Sequence, residues 1–208
     1  MTEIARLLIT LDDIRPPIRR RIEVPLGIRL DDLHLVIQAV MGWEDYHLYE
    51  FRIGRGADQA YGVPDPEWDF PGSSVLPARK ASLADLLARL TTKVKAFKYV
   101  YDFGDNWRHS VKLEAIGEAD PDTAYPRLLS AERACPPEDV GGPWGYASYL
   151  EAIADPAHPR HTDMIAWRGE GFDPAVADEA GIRARLKRIT TRLARRRVAA
   201  KPRGGTAP

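Results

Sequence analysis

Ala5, Leu7, Ile9 and Leu11 alternate with Arg6, Leu8 and Thr10, so a strand over about Ile4 to Leu11 would bury one face. Arg15-Pro16-Pro17 imposes an extended turn, because neither proline donates to a ladder and each restricts the residue before it. Ile18, Ile22 and Val24 continue as a second strand that ends at Pro25, with Arg20 interrupting its apolar face. Leu30, Leu33, Ile37, Val40 and Met41 then recur at helical spacing, with Asp31 or Asp32 expected as the cap and Gly42 as the left-handed stop. The period returns to two at His47, Tyr49, Phe51 and Ile53, predicting a third strand that begins at the histidine.

Arg55 to Pro77 is rich in glycine and proline and reads as a long loop carrying Tyr61, Trp68 and Phe70. Ser82 is placed to cap a helix through about Leu90, with Leu83, Leu86, Leu87 and Leu90 inward. Phe97, Tyr99, Tyr101 and Phe103 share one strand face, Trp107, His109, Val111 and Leu113 share the next, and Gly104-Asp105-Asn106 supplies the short turn between them. Ala119 to Leu129 is turn-rich and has no clear period. Tyr146, Tyr149, Leu150 and Ile153 predict a short helix ending near Asp155-Pro156, and Phe172-Asp173-Pro174 reads as the start of another. Ile182, Leu186, Ile189 and Leu193 lie on one stripe of a terminal helix, and from about Val198 the composition predicts a disordered basic tail to residue 208. The sum is an α+β fold: a single domain over residues 1–197, mainly antiparallel sheet with hairpins packed against several helices.

Composition adds three constraints. At 208 residues and 44% hydrophobic, the chain suffices for one sizeable core. Its one cysteine, Cys135, excludes an internal disulfide framework and a cysteine-rich zinc site. That fits a cytoplasmic protein, as does the absence of a bilayer-length apolar run or a secretory signal over Met1 to Leu11, and no membrane partner is expected. The net charge of zero hides an asymmetry: ten of the 30 Lys/Arg fall between Arg183 and Arg203 with no acid after Glu179, leaving the preceding body at minus ten.

Three motifs stand out in order: LHLVIQAVMGW with HLYEF (Leu33 to Phe51), YDFGDNWRH (Tyr101 to His109) and CPPEDVGGPWGY (Cys135 to Tyr146). Together they resemble the Ri-plasmid ORF-3-like family, also written pRiA4b ORF-3-like, from about Leu7 to Ile189. The resemblance implies a single α+β domain. It implies little about function, since the family is uncharacterised and some members carry an insertion-sequence passenger or TnpR resolvase label. A serine resolvase needs a nucleophilic serine in an N-terminal catalytic domain, yet no serine precedes Ser73. The chain also carries Arg19 where members often have Trp after Pro-Pro-Ile.

The candidate functional surface comprises Asp102, Asp105, Asn106, Trp107 and His109 from the hairpin motif, with Glu138, Asp139, Trp144 and Tyr146 from the Cys-Pro-Pro motif. Asp105 and Asn106 are ordinary turn residues, whose side chains bond the nearby backbone. Asp102 or Asp105 with Glu138 and Asp139 would offer oxygen ligands to a divalent cation, although no dedicated ligand spacing is present and no cofactor is otherwise implied. Cys135 as a nucleophile would need His109 as base, and a lone cysteine is more often a small buried hydrophobe. His158 and His161 have the spacing of two ligands on one helical face, but Pro159 between them favours a turn. His34 and His47 read as structural.

The leading expectation is an uncharacterised binding or accessory module, associated with mobile elements, that engages a protein or nucleic-acid partner through the 101–109 hairpin and the 135–146 loop. One alternative is a hydrolase using a metal or His109 in a pocket between the same motifs. The other is non-specific nucleic-acid binding through Arg192, Arg195, Arg196 and Arg197 on the terminal helix. Substrate, partner and oligomeric state are not legible in the residues.

Overall fold

A computed structural model of the chain describes residues 2–54, 59–64, 75–90 and 95–200, with side chains to residue 196. Eight strands form one sheet: β1 (Glu3–Leu11), β2 (Ile18–Pro25), β3 (Tyr49–Ile53), β4 (Gln59–Gly62), β5 (Val75–Pro77), β6 (Ala96–Tyr101), β7 (Trp107–Glu118) and β8 (Arg127–Glu132). Their spatial order is β5-β4-β3-β6-β7-β1-β2-β8, with every pairing antiparallel except β4 with β5. The helices are α1 (Leu30–Met41), α2 (Leu83–Ala88), α3 (Gly142–Ala154), α4 (His161–Arg168) and α5 (Glu179–Ala200). The α+β class and the mainly antiparallel sheet expected from the periodicity are both present.

Register explains which face is buried. Leu11 pairs with both Ile18 and His109, His109 with Tyr99, and Tyr99 with Phe51, so Phe51, Tyr99, His109, Leu11 and Ile18 form one row across the sheet. Every member of that row is at most 1% exposed. The parallel row through Tyr49, Tyr101 and Trp107 is buried likewise. The opposite face is a polar lattice in which Arg6 and Arg127 both pair with Glu23, Arg21 with Glu114, and Lys98 with Asp12. Burial opposes ionisation of Glu23, but Arg6 and Arg127 outweigh it and hold its carboxyl below the ordinary value. A sheet with one packed and one solvated face is the expected antiparallel outcome.

Helix α1 lies in the core and is covered on its outer side by α5, so ten of its twelve residues are buried. Its N-cap is Arg29, with no side-chain cap, and not Asp31 or Asp32. Those carboxylates turn instead to arginines: Asp31 to Arg29 at 2.6 Å and Asp32 to Arg196 of α5 at 2.6 Å. At the other end Gly42 takes the left-handed stop as expected, with φ 97°. No basic residue of α1 sits in its own last turn, and two arginines from elsewhere supply the charge. Arg20 Nε donates to Val40 O at 2.7 Å, and Arg185 Nε to Ala39 O at 2.9 Å. Arg20 therefore interrupts the apolar face of β2 because it reaches the end of α1, and its second guanidinium nitrogen also binds the carbonyls of Arg19 and Glu132.

Other expectations shift. The stretch 55–77 is not one structureless loop, since β4 and β5 fall within it and Tyr61 is buried on β4; Trp68 and Phe70 lie outside the described residues. Ser82 caps α2 through a reciprocal capping box with Asp85. Within 119–129, Arg127 begins β8, which pairs with β2 and places Glu132 3.2 Å from the atypical Arg19. The final helix starts at Glu179, beyond Pro174, and stays helical to Ala200; residues 201–208 lie outside the described residues. Ile182 and Leu186 are buried as the stripe requires.

Candidate functional site

The hairpin and the Cys-Pro-Pro segment meet at one end of the sheet. The connection between β6 and β7 runs over Asp102 to Asn106, two residues longer than the expected Gly-Asp-Asn turn. Asp102 and Asn106 adopt left-handed φ of 56° and 54°, a conformation Asp and Asn tolerate better than most residues. Asp102 Oδ1 accepts from the backbone N–H of Gly104 at 2.9 Å and of Asp105 at 3.2 Å. Phe103 is ejected from the strand face assigned to it and is 48% exposed.

Several hydrogen bonds fasten the Cys-Pro-Pro segment to this end. Trp43 Nε1 donates to Pro136 O at 3.0 Å, with the indole stacked on Tyr101 and tilted against Trp107. The Glu138 carboxylate accepts from the Tyr101 hydroxyl and, at 2.9 Å, from the Glu44 N–H. Burial, together with Glu138, raises the Tyr101 phenol above its ordinary pKa. Asp105 Oδ2 accepts from Gly141 N–H at 3.0 Å, joining the hairpin tip to the start of α3.

The expected surface residues separate into two groups. Trp107 and His109 are 1% and 0% exposed and belong to the core, so neither lines a pocket with Asp102. His109 Nδ1 faces Tyr99 O at 3.3 Å, its Nε2 has no partner among the described residues, and burial pushes its pKa down to about 4. The His109-assisted hydrolase is thereby excluded as drawn, because that ring touches the core and not the acids. Tyr146 is also core, 3% exposed, whereas Trp144 is 87% exposed on the first turn of α3. Burial pushes the Cys135 thiol up to about 12, away from the thiolate that a nucleophile needs.

His47, read as a structural strand residue, lies in the loop before β3, where its Nε2 is 2.9 Å from Asp139 Oδ1 and 3.6 Å from Asp102 Oδ2. The signal for it was present: it opens the HLYEF motif, and a histidine just ahead of a strand is free to face a neighbouring loop. His34 is structural as expected. It stacks on Tyr49 with centroids 3.6 Å apart, and its ring nitrogens meet the Tyr99 hydroxyl and Asp45 Oδ1 at 2.7 and 2.6 Å. His158 accepts from the Arg160 N–H and His161 binds Ala152 O, so the two serve local turns.

Two clefts flank the junction. The smaller, about 630 Å³, lies between the hairpin tip and α3 and is walled by Asp13, Asp105, Arg108, Gly142, Pro143 and Trp144 among others. The larger, about 940 Å³, lies between the 135–139 segment and residues 167–182, with Arg20 and Arg185 at its base. Of the four arginines considered for nucleic acid, Arg196 is committed to Asp32, Arg192 and Arg195 are exposed, and the Arg197 side chain lies outside the described ones.

These features define a single-domain α+β protein whose candidate site is built by two loops at one end of a half-solvated sheet. The chain belongs to the plasmid pRiA4b ORF-3-like protein family, whose model matches residues 3–180. It is 45% identical over 201 residues to the uncharacterised protein y4hQ of Sinorhizobium fredii, spanning 94% of this chain and 97% of that one. It is also similar to the crystal structure of MM3350, a protein of unknown function from Methanosarcina mazei, with a TM-score of 0.75 and 37% identity over 86% of this chain and 97% of that chain. Among the described residues no helix is long and apolar enough to cross a membrane.

Proposed function

We propose that the chain is a non-catalytic binding module that engages a protein partner at the cleft between the hairpin tip and the first turn of α3. The observation that carries this reading is Trp144, a large aromatic left 87% exposed on a helical turn fixed by the Asp105–Gly141 bond. An exposed tryptophan on a rigid frame loses little conformational entropy on binding, and tryptophan is enriched at interface hot spots. The wall chemistry favours a protein over a nucleic acid. It carries Asp13 and Asp105, and the one cation among its described residues, Arg108, is paired with Asp13 at 2.7 Å. A cytoplasmic setting agrees with the single cysteine, and association with mobile elements rests on the family's plasmid origin alone.

The test places a photo-crosslinking residue at Ala147, on the cleft wall, in cells of the source organism. The expected outcome is one reproducible adduct whose purified partner binds the whole chain, with affinity lowered about tenfold or more by Trp144→Ala at unchanged melting temperature. Equal binding by the variant, or the same adduct from a site on the opposite sheet face, would reject the cleft.

A further inference from the structure

We propose that His47, Asp102 and Asp139 form a binding site for one divalent first-row transition-metal ion of the zinc or manganese kind. His47 Nε2 and one carboxylate oxygen of each aspartate all lie within 4.8 Å of one another, at 2.9 Å for His47–Asp139 and 3.6 Å for His47–Asp102. Ligands about 2.1 Å from a shared ion stand roughly 3.0 to 3.4 Å apart at octahedral or tetrahedral angles, so the histidine edges already bracket that spacing. The exposed Asp139 side chain supplies the small closing movement on the third edge.

Asp102 distinguishes this cluster from an incidental hydrogen bond. Its side chain is only 10% exposed, and Oδ1 is occupied by the turn N–H groups of Gly104 and Asp105. Among the described residues Oδ2 accepts no hydrogen bond, and it is aimed at His47. The His47–Asp139 bond accounts for two of the three side chains, and Asp102 Oδ2 turns a third ligand atom toward the same ring nitrogen. Among the described residues Glu44, Asp102, Asp105, Glu138 and Asp139 form no ion pair with lysine or arginine.

The three ligands come from backbone held by independent contacts. Asp102 N–H donates to Leu48 O, next to His47, and Asp139 follows Glu138, itself tied to Tyr101 and Glu44. One imidazole with two carboxylates suits a borderline transition ion better than calcium or magnesium, which favour all-oxygen sets. Three protein ligands leave positions for water, or for a donor group entering through the larger cleft, of which Asp139 is a wall.

The test uses the whole chain stripped with chelator and titrated separately with zinc, manganese, magnesium and calcium chlorides by calorimetry, with electron paramagnetic resonance for manganese. One zinc or manganese ion per chain is expected, bound about tenfold or more tighter than magnesium or calcium, and weakened about tenfold or more by His47→Ala, Asp102→Asn and Asp139→Asn. Asp102→Asn keeps an acceptor for the turn, and Asp139→Asn alters an exposed side chain, so at least one carboxylate variant tests the site in a folded protein. His158→Ala and His161→Ala are expected to bind as the parent does. Sub-stoichiometric binding, unchanged affinity in His47→Ala, or loss of binding in either control would overturn the site.

Discussion

Gly142 stands so close to Asp105 that a Cβ at that position would lie 2.5 Å from the Asp105 carbonyl oxygen. The residue also holds a left-handed φ of 68°, so both space and conformation select glycine. Gly142→Ala is expected to cost about 1 to 3 kcal/mol and to loosen the hairpin tip from α3. Denaturant titration would register this as a lower midpoint, and hydrogen exchange as faster exchange at Gly141 N–H. An unchanged midpoint would show that the approach is looser than drawn.

Arg20 carries the end of α1. Arg20→Ala leaves the carbonyls of Val40, Arg19 and Glu132 without their donor and opens a cavity where a side chain 1% exposed had been. A loss of about 3 kcal/mol or more is expected. Arg185→Ala removes one donor from Ala39 O at the rim and is expected to cost about 1 kcal/mol. Equal losses from the two substitutions would contradict the difference in burial.

The buried ring of His109 predicts an acid-labile window. Burial lowers its pKa to about 4, whereas the unfolded chain takes up that proton near the ordinary value of 6.5. Between these values the unfolded state binds more protons, so its contribution is complete above pH 6.5 and is lost as pH falls toward 4. The difference amounts to about 3 kcal/mol. His109→Leu should remove that portion of the decline in unfolding free energy between pH 7 and pH 4. Parallel profiles for parent and variant would count against it.

The contact between Arg196 and Asp32 fixes α5 on α1 near its far end, at 2.6 Å with Asp32 nearly buried and Arg196 half exposed. A double-mutant cycle with Arg196→Ala and Asp32→Asn should give a coupling of about 0.5 to 1 kcal/mol, reduced for the exposed arginine and weakened by salt. Zero coupling would mean that the Ile182–Leu186 stripe and the Arg185–Ala39 bond hold the helix without help from this pair.

Much of the fold follows from local pattern. The strands over Glu3–Leu11 and Ile18–Pro25, the helix stopped by Gly42 and the helix capped by Ser82 all carry period and punctuation within a few residues. What pattern conceals is pairing. His109 sits among apolar alternates, and only its registration opposite Leu11 and Tyr99 buries it completely. Strand β8 has little alternation of its own and exists because β2 offers it an edge. The motifs put the hairpin beside the Cys-Pro-Pro segment, but the alternation at His47, Tyr49 and Phe51 assigns the histidine at the junction to a strand. His47 stands two residues before β3, where strand geometry no longer dictates its direction.

Strand β1 precedes β7 in the chain yet lies inside the sheet between β2 and β7. Its pairing with β2 is available almost at once, but its other edge waits for β7, roughly a hundred residues downstream. At ordinary elongation rates that wait lasts about 5 to 20 seconds, with an apolar edge open on the nascent chain. Translation order therefore leaves the β7-facing edge of β1 without its partner until the later strand is made, and slow codons between β2 and β7 would lengthen that interval.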